Sequence, residues 1–248
     1  MANEKAGAQR LDRLLASTGS WSRRDVRQLV RQGRVLVDGV PAASPEEKYD
    51  PETAEIRVDG QRVVYRRVTW LMMNKPAGVV SATEDSREKT VLDLLEPALR
   101  KKKLFPVGRL DKDAEGLLLL TDDGDLAHRL LSPKYHVDKV YYVRTQGQLT
   151  EEDGRAFAQG VTLGDGFVCL PAELKILRAD AQSEALVTVR EGKYHQVKRM
   201  LASRGKPVLY LRRLQMGNLT LDPTLEKGTY RFLTEAEQAE LQKRPDLT

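Results

Sequence analysis

The chain changes its apolar period once before residue 66. "LDRLLAST" and "SRRDVRQLVRQG" carry apolar residues at helical spacing and predict two short helices. Ser22 is placed to cap the second, Asp25 three residues on completes a capping box, and Gly33 supplies the stop. On a helical wheel Val26, Leu29 and Val30 share one flank. Arg23, Arg24, Arg27 and Arg31 fall within an arc of roughly 100° on the other. The pattern then shortens to alternation: "RVLVDGVPA" turns at Asp38-Gly39, and "EIRVDGQRV" repeats the arrangement as a second hairpin.

A different pattern opens with "RVTWLMMNKPAGVVSA", an apolar strand running into an Asn-Lys-Pro-Ala-Gly turn, and a domain boundary is expected near Arg66 and Arg67. Strand-like runs recur at Leu117–Leu120, Val140–Val143, Ala185–Val189 and Val208–Leu211. Helical stretches are fewer: "TVLDLLEPALRKK", "DLAHRLLS", "TEEDGRAFAQG" and "YHQVKRMLASRG", then "TEAEQAELQK" behind a capping box from Thr234 to Glu237. The expected organisation is α+β: a flexible N-terminus over residues 1–7, a small α/β domain over 8–66 and a strand-rich domain over 67–248.

Composition changes this picture little. With 40% hydrophobic and 31% charged residues the chain reads as soluble and globular. No apolar run reaches the roughly 18 residues of a membrane span, and no membrane association is expected. "MANEKAGAQR" has no apolar signal core, and the lone Cys169 fits a reducing cytoplasm. Charge changes it more. Between Arg10 and Arg34 seven arginines face two aspartates, a local excess equal to the formal net charge of +5 of the whole chain. Arginine forks gathered in this way are the footprint of a phosphate-binding surface; the set includes Arg10, Arg23, Arg24, Arg27, Arg31 and Arg34.

Against that basic background stands "GRLDKDAEGLLLLTDDGD", residues 108–125, with six carboxylates. Asp111, Asp113 and Glu115-Gly116 mimic the start of a calcium loop, but Asp122 replaces the final bidentate glutamate and Leu117 to Leu120 stand where oxygen ligands are needed. His128, His136 and His195 are not at zinc-ligand spacing, and one cysteine cannot supply a cluster. No Gly-rich phosphate loop of standard form occurs. No metal and no cofactor are expected.

The same stretch, extended to "GRLDKDAEGLLLLTDDGDLAHRLLS", resembles the signature of the RNA pseudouridine synthases. "NKPAGVVSA", "DKVYYV" and "EGKYHQVKRML" resemble that family's other motifs, in the family's order. "RLDRLLASTGSWSRRDVRQLVRQGRVLVDGVPA" resembles the S4 RNA-binding module that one branch of the family carries at its N-terminus. The resemblance implies an isomerase with a largely antiparallel mixed sheet, acting on RNA through a flipped uridine. It implies Asp111 as the catalytic carboxylate and Arg109 as a filler of the vacated space or a phosphate contact. It implies Tyr141 as the ring stacked on the base and Lys198 as the basic partner that keeps Asp111 ionised. Lys75, Lys139 and His195 join the expected RNA-binding residues, beside readings as ordinary surface or structural groups. Asp113, Glu115, Asp122, Asp123 and Asp125 are expected to stay solvated or to cap turns. Within the branch, "EGKYHQVKRM" looks most like the enzymes of 16S ribosomal RNA, so the expected partner is that RNA or a small-subunit particle, met by a monomer. A 23S enzyme of the same family and a non-catalytic S4-type ribosome-binding protein are the alternatives.

Overall fold

The computed structural model describes residues 7–65 and 68–243. Most of the expected flexible N-terminus and the boundary at Arg66 and Arg67 lie outside them. The chain forms two compact units, one of residues up to Val68 with Leu95–Leu104, the other of Thr69–Leu94 and Phe105 onward. Among the described residues no helix is long and apolar enough to cross a membrane.

The first unit holds β1 (Gln9–Arg10), α1 (Leu11–Ser17), α2 (Arg23–Arg31), β2 (Val35–Val37), β3 (Val40–Pro41), β4 (Lys48–Tyr49), β5 (Ile56–Val58) and β6 (Gln61–Arg62). Ser22 and Asp25 close the capping box of α2 in both directions. Val26, Leu29 and Val30 are buried against Leu11, Leu14 and Leu15 of α1 and against Val35, Val37, Ile56 and Val58 of the sheet. Full burial of such side chains contributes about 1.5–3 kcal/mol each, far more than helix propensity could supply over nine residues. The sheet order is β3-β2-β5-β6. Both hairpins turn through two residues of positive φ, Asp38 (52°) and Gly39 (81°), then Asp59 (52°) and Gly60 (78°), the geometry that matches strand twist.

"TVLDLLEPALRKK" does not form one helix. A 3-10 turn covers Val91–Leu94 and α3 spans only Pro97–Arg100. Proline cannot continue a helix, because it lacks the N–H and clashes with the preceding turn, but it starts one readily. The segment from Leu95 to Leu104 groups with the first unit. There a side chain at Gly19 (φ 84°) would sit 2.0 Å from the carbonyl oxygen of Ala98, so only glycine fits.

The second unit is built on β7 (Trp70–Lys75), β8 (Phe105–Pro106), β9 (Glu115–Thr121), β10 (Lys139–Gln146), β11 (Glu173–Arg178), β12 (Gln182–Val189), β13 (Val208–Met216), β14 (Leu219–Thr220) and β15 (Tyr230–Phe232). They form a sheet of order β11-β12-β10-β13-β9-β7-β15, with β14 on β13 and β8 on β9. All its pairings are antiparallel except β13 with β9. This is the mixed, largely antiparallel sheet of the expected α+β class.

Every residue of β7 and β9 is buried, so both read as continuous apolar runs instead of alternating ones. Trp70, Met72, Leu117 and Leu119 pack with Leu126, Ala127 and Leu130 of α4 (Gly124–Leu131) and Leu241 of α7 (Glu235–Gln242). The remaining helices are α5 (Glu151–Gln159) and α6 (Gln196–Ser203). Helix α6 starts two residues after the expected position because His195 is left-handed, at φ 49° and ψ 33°. At the single parallel pairing, Gly116 (φ 100°) faces Arg213, and a Cβ there would fall 2.2 Å from the Arg213 carbonyl oxygen. A side chain at 116 would force β13 away from the strand that follows Asp111.

Candidate active site

Asp111 lies in the connection from β8 to β9, and three residues of the "NKPAGVVSA" segment hold that connection by its backbone. The Ser81 hydroxyl donates to the Leu110 carbonyl (2.9 Å) and accepts from the Leu110 N–H (3.1 Å). Gly78 N–H donates to the Lys112 carbonyl at 2.7 Å. The Lys75 ammonium donates to the carbonyls of Ala114 (2.8 Å), Asp111 (2.9 Å), Pro76 (3.1 Å) and, at longer range, Lys112 (3.4 Å). A connection reversing this tightly carries orphan carbonyls, and one buried cation satisfies several of them. Thus two motifs far apart in sequence are mechanically one clamp.

The Asp111 carboxylate itself faces α6. Lys198 Nζ lies 3.1 Å from Oδ2, and His195 Nε2 lies 3.4 Å from Oδ1. Lys198 also donates to Asp113 at 2.6 Å. Burial works against the charge on Lys198, but its hydrogen bonds to Asp113 and Asp111 outweigh it, and its pKa stays above the usual lysine value. The hydrogen bond from Lys198, more than its charge, holds Asp113 below the usual carboxylate range. Lysine is therefore the hub of a carboxylate pair with Asp113 on its solvent side, a role for Asp113 that the sequence reading did not assign.

Asp111, Arg109 and Tyr141 line one cleft, with a cavity volume of about 70 Å³, together with Val189 and Leu211 of the sheet. Lys193, His195 and Gln196 close its other side. Alternation on β10 decides which tyrosine points in: Lys139, Tyr141, Val143 and Thr145 are buried, while Tyr142 turns to the other face and donates to Glu184 at 2.7 Å. The turn before α6 is set by Gln196, whose amide donates to Glu191 (2.7 Å) and accepts from Lys193 N–H (2.9 Å). Glu191 and Gln196 are both buried; the sequence placed them within the "EGKYHQVKRML" motif but assigned neither a role.

Two expected RNA contacts are not on the surface. Lys75 is fully buried and Lys139 is 6% exposed, its ammonium on the Val137 carbonyl at 3.0 Å. Burial pushes both down to about 8, opposed at Lys75 by the charges of Asp111, Asp113 and Glu115. Neither ammonium is free to meet a phosphate, so their role is to hold backbone. Glu115 also departs from expectation. It is buried, accepting from Tyr210 (2.5 Å) and pairing with Lys227 (2.6 Å). Asp122 accepts the Thr69 N–H and Asp123 caps α4, while Asp125 stays exposed in its first turn. Among the described residues no group of three His, Cys, Asp or Glu is placed to hold a metal.

In the first unit, Arg23, Arg24, Arg27 and Arg31 are exposed on α2. They are less free than the helical wheel implies. Asp12 of α1 is fully buried, takes two bonds from Arg10 (3.0 and 3.1 Å) and lies 3.7 Å from Arg23 and 3.9 Å from Arg27. Burial would raise the Asp12 carboxyl, but the Arg10 hydrogen bonds and charge outweigh that and leave it lowered. Arg34 is held by Asp59 through two bonds of 2.6 Å. Arg24 and Arg31 extend the same exposed face.

A carboxylate fixed by a lysine in a cleft floored by a tyrosine, with a separate arginine-faced unit, defines an enzyme that handles a polyanion. Comparison with known proteins agrees. Residues 69–203 match the RNA pseudouridylate synthase family model and residues 9–54 match the S4 domain model. An uncharacterised RNA pseudouridine synthase of Bacillus subtilis (strain 168), YtzG, is 51% identical over 229 residues, covering 92% of this chain and 96% of the relative. Ribosomal small subunit pseudouridine synthase A of Vibrio cholerae serotype O1 is 40% identical over 235 residues, 94% of this chain and 100% of the relative. A crystal structure of a pseudouridylate synthase superimposes with a TM-score of 0.66 at 36% identity, covering 94% of this chain and 99% of that one. The chain belongs to the RNA pseudouridine synthase family, whose members isomerise uridine to pseudouridine in RNA.

Proposed function

We propose that the chain converts a uridine of 16S ribosomal RNA to pseudouridine in the cytoplasm, with Asp111 as the catalytic carboxylate. Residues 8–66 act as the S4 RNA-binding domain and 67–248 as the catalytic domain. The observation that carries the reading is the cleft in which Asp111, braced by Lys198 and His195, shares a wall with the buried Tyr141. The reaction breaks the bond from uracil N1 to ribose C1′ and joins C1′ to C5; C5 gives up its proton and N1 gains one. No atom enters or leaves, so the site needs no donor or oxidant. Asp111 serves either as nucleophile at C1′ or as the base that takes the C2′ proton.

The uridine must leave its stack before its sugar can be reached from the cleft. Tyr141 offers an aromatic face to the extruded base, and Arg109, exposed at the cleft wall, takes up the space or the phosphate left behind. The 16S assignment is supported by relatives named for the ribosomal small subunit that align over almost their whole length. The test is pseudouridine mapping on ribosomal RNA from cells lacking the protein, complemented with wild type or Asp111→Asn. Wild type is expected to restore one 16S site and the variant none. Restoration by Asp111→Asn would remove Asp111 from the chemistry, and a restored site in 23S RNA would reassign the substrate.

A further inference from the structure

Tyr194 is 74% exposed, yet its ring lies parallel to that of His195, with centroids 3.8 Å apart and planes 19° apart. His195 in turn points Nε2 at Asp111. The order from the cleft outward is therefore carboxylate, imidazole, phenol, solvent. The left-handed backbone at His195 (φ 49°) places the two rings face to face, a conformation that costs a non-glycine residue of order 1 kcal/mol or more. A single exposed tyrosine needs no explanation. A tyrosine whose inner face is stacked on a residue of the cleft, and whose outer face is open, is the unfinished end of a stack.

We propose that the outer face of Tyr194 stacks on the nucleobase adjacent to the target uridine. This rests on the reading of the cleft as a uridine isomerase. Extruding a uridine leaves its neighbour with one face unstacked, and an aromatic ring at the cleft mouth replaces the lost partner. Lys193, also on the cleft wall and exposed, brings a cation beside the same nucleotide; its ammonium lies 4.9 Å from the Phe167 ring centroid. Because every base has an aromatic face, the contact tolerates sequence and contributes affinity without base reading. Tyr194 is thus a positioning residue for the RNA, and its hydroxyl is dispensable.

The test uses a stem-loop spanning the uridine found by mapping, labelled with tritium at C5, which is released when C5 bonds to C1′. Companion RNAs carry an abasic ribonucleotide at the 5′ or the 3′ neighbour. Tyr194→Ala is expected to raise KM roughly 5- to 150-fold, the range for loss of one base–aromatic stack, with a much smaller change in kcat. Tyr194→Phe should stay near wild type. An abasic residue at one of the two neighbours should raise the wild-type KM by a similar factor and leave Tyr194→Ala unchanged. An unaltered KM in Tyr194→Ala, failure of Tyr194→Phe to match wild type, or equal abasic sensitivity in both proteins would overturn the proposal. A wild-type protein that releases tritium while Tyr194→Ala shows no defect would sink the stack alone. A wild-type protein that forms no pseudouridine in any RNA would sink the isomerase reading and the stack with it.

Discussion

Replacing Lys75 by methionine keeps a long apolar stem in the fold and removes the ammonium. Three carbonyl oxygens within 3.1 Å then lose a charged donor. Hydrogen bonds to charged groups contribute roughly 1.5–3 kcal/mol each, so three contribute about 5–9 kcal/mol. Against them stands the burial of the charge, which lowers the pKa from 10.5 to about 8. At about 1.4 kcal/mol per unit that opposes the bonds by roughly 3 kcal/mol. The bonds win, and a net loss of about 2–6 kcal/mol is expected, a span that includes the roughly 3–5 kcal/mol for breaking a buried ion pair. For a chain of this size each kcal/mol moves Tm by roughly 2–4 °C, so a 3 kcal/mol loss lowers Tm by about 6–12 °C.

Scanning calorimetry checks that figure. A second readout separates a clamp from an RNA contact. Lys75→Met should lower kcat, because the carbonyl of Asp111 is one of those released. The slope of log KM against log salt should not move. A Tm within about 2 °C of wild type would show that the carbonyls find other donors and would refute the clamp. A slope reduced by about 0.7–0.9 would return Lys75 to the RNA surface.

Other expectations concern the arginine face, its buried acid and the parallel strand pair. Substituting Arg23, Arg24 and Arg27 together by alanine should flatten the salt dependence of RNA binding by about 2 in slope, measured by filter binding. Arg34→Ala, which removes a guanidinium already paired with Asp59, should change it less. Asp12 has a folded pKa below its ordinary 3.8. Its stabilisation is therefore full above about pH 4 and disappears as pH falls through the lowered value, and the Tm gap between wild type and Asp12→Asn should close in acid. A gap that does not narrow at all as the pH falls below 3.8 would contradict the ion pairing. Gly116→Ala should cost more than about 3 kcal/mol in urea melts, because it combines positive-φ strain with a backbone clash.

What the sequence made legible was local. The α2 capping box, its buried flank and the Asp-Gly hairpins involve residues within a few positions of each other, and short-range chemistry settles them. Family motifs carried Asp111 and Tyr141 to one cleft and Lys198 to the Asp111 carboxylate, although 87 positions separate Asp111 from Lys198. The lysines went astray for a physical reason: lysine is rarely buried, so residue type argued for the surface. Position argued otherwise. Lys75 ends a strand whose preceding residues are all buried, and Lys139 shares the inward parity of Tyr141 on β10. Once Tyr141 is read as facing the cleft, period-two geometry sends Lys139 to the same side.

The acidic run from residue 111 to 125 shows why spacing alone misjudged the rest. Alternate residues along an extended segment face opposite ways, so Asp111, Asp113 and Glu115 would share one side if that segment were a regular strand. The segment turns before β9 begins, with Ala114 N–H closing onto the Asp111 carbonyl at 3.1 Å. That turn leaves Asp111 and Asp113 on the one ammonium of Lys198 and delivers Glu115, the first residue of β9, to Tyr210 of β13 and to Lys227. Gly116 lets β13 approach, β13 fixes Glu115, and the turn upstream fixes where the carboxylate of Asp111 can point. The partners that sort these acids come from α6, from β13 and from the loop before β15, all more than 80 residues downstream. No window along the chain contains them, which is why an acidic cluster in sequence becomes separate pairings in the fold.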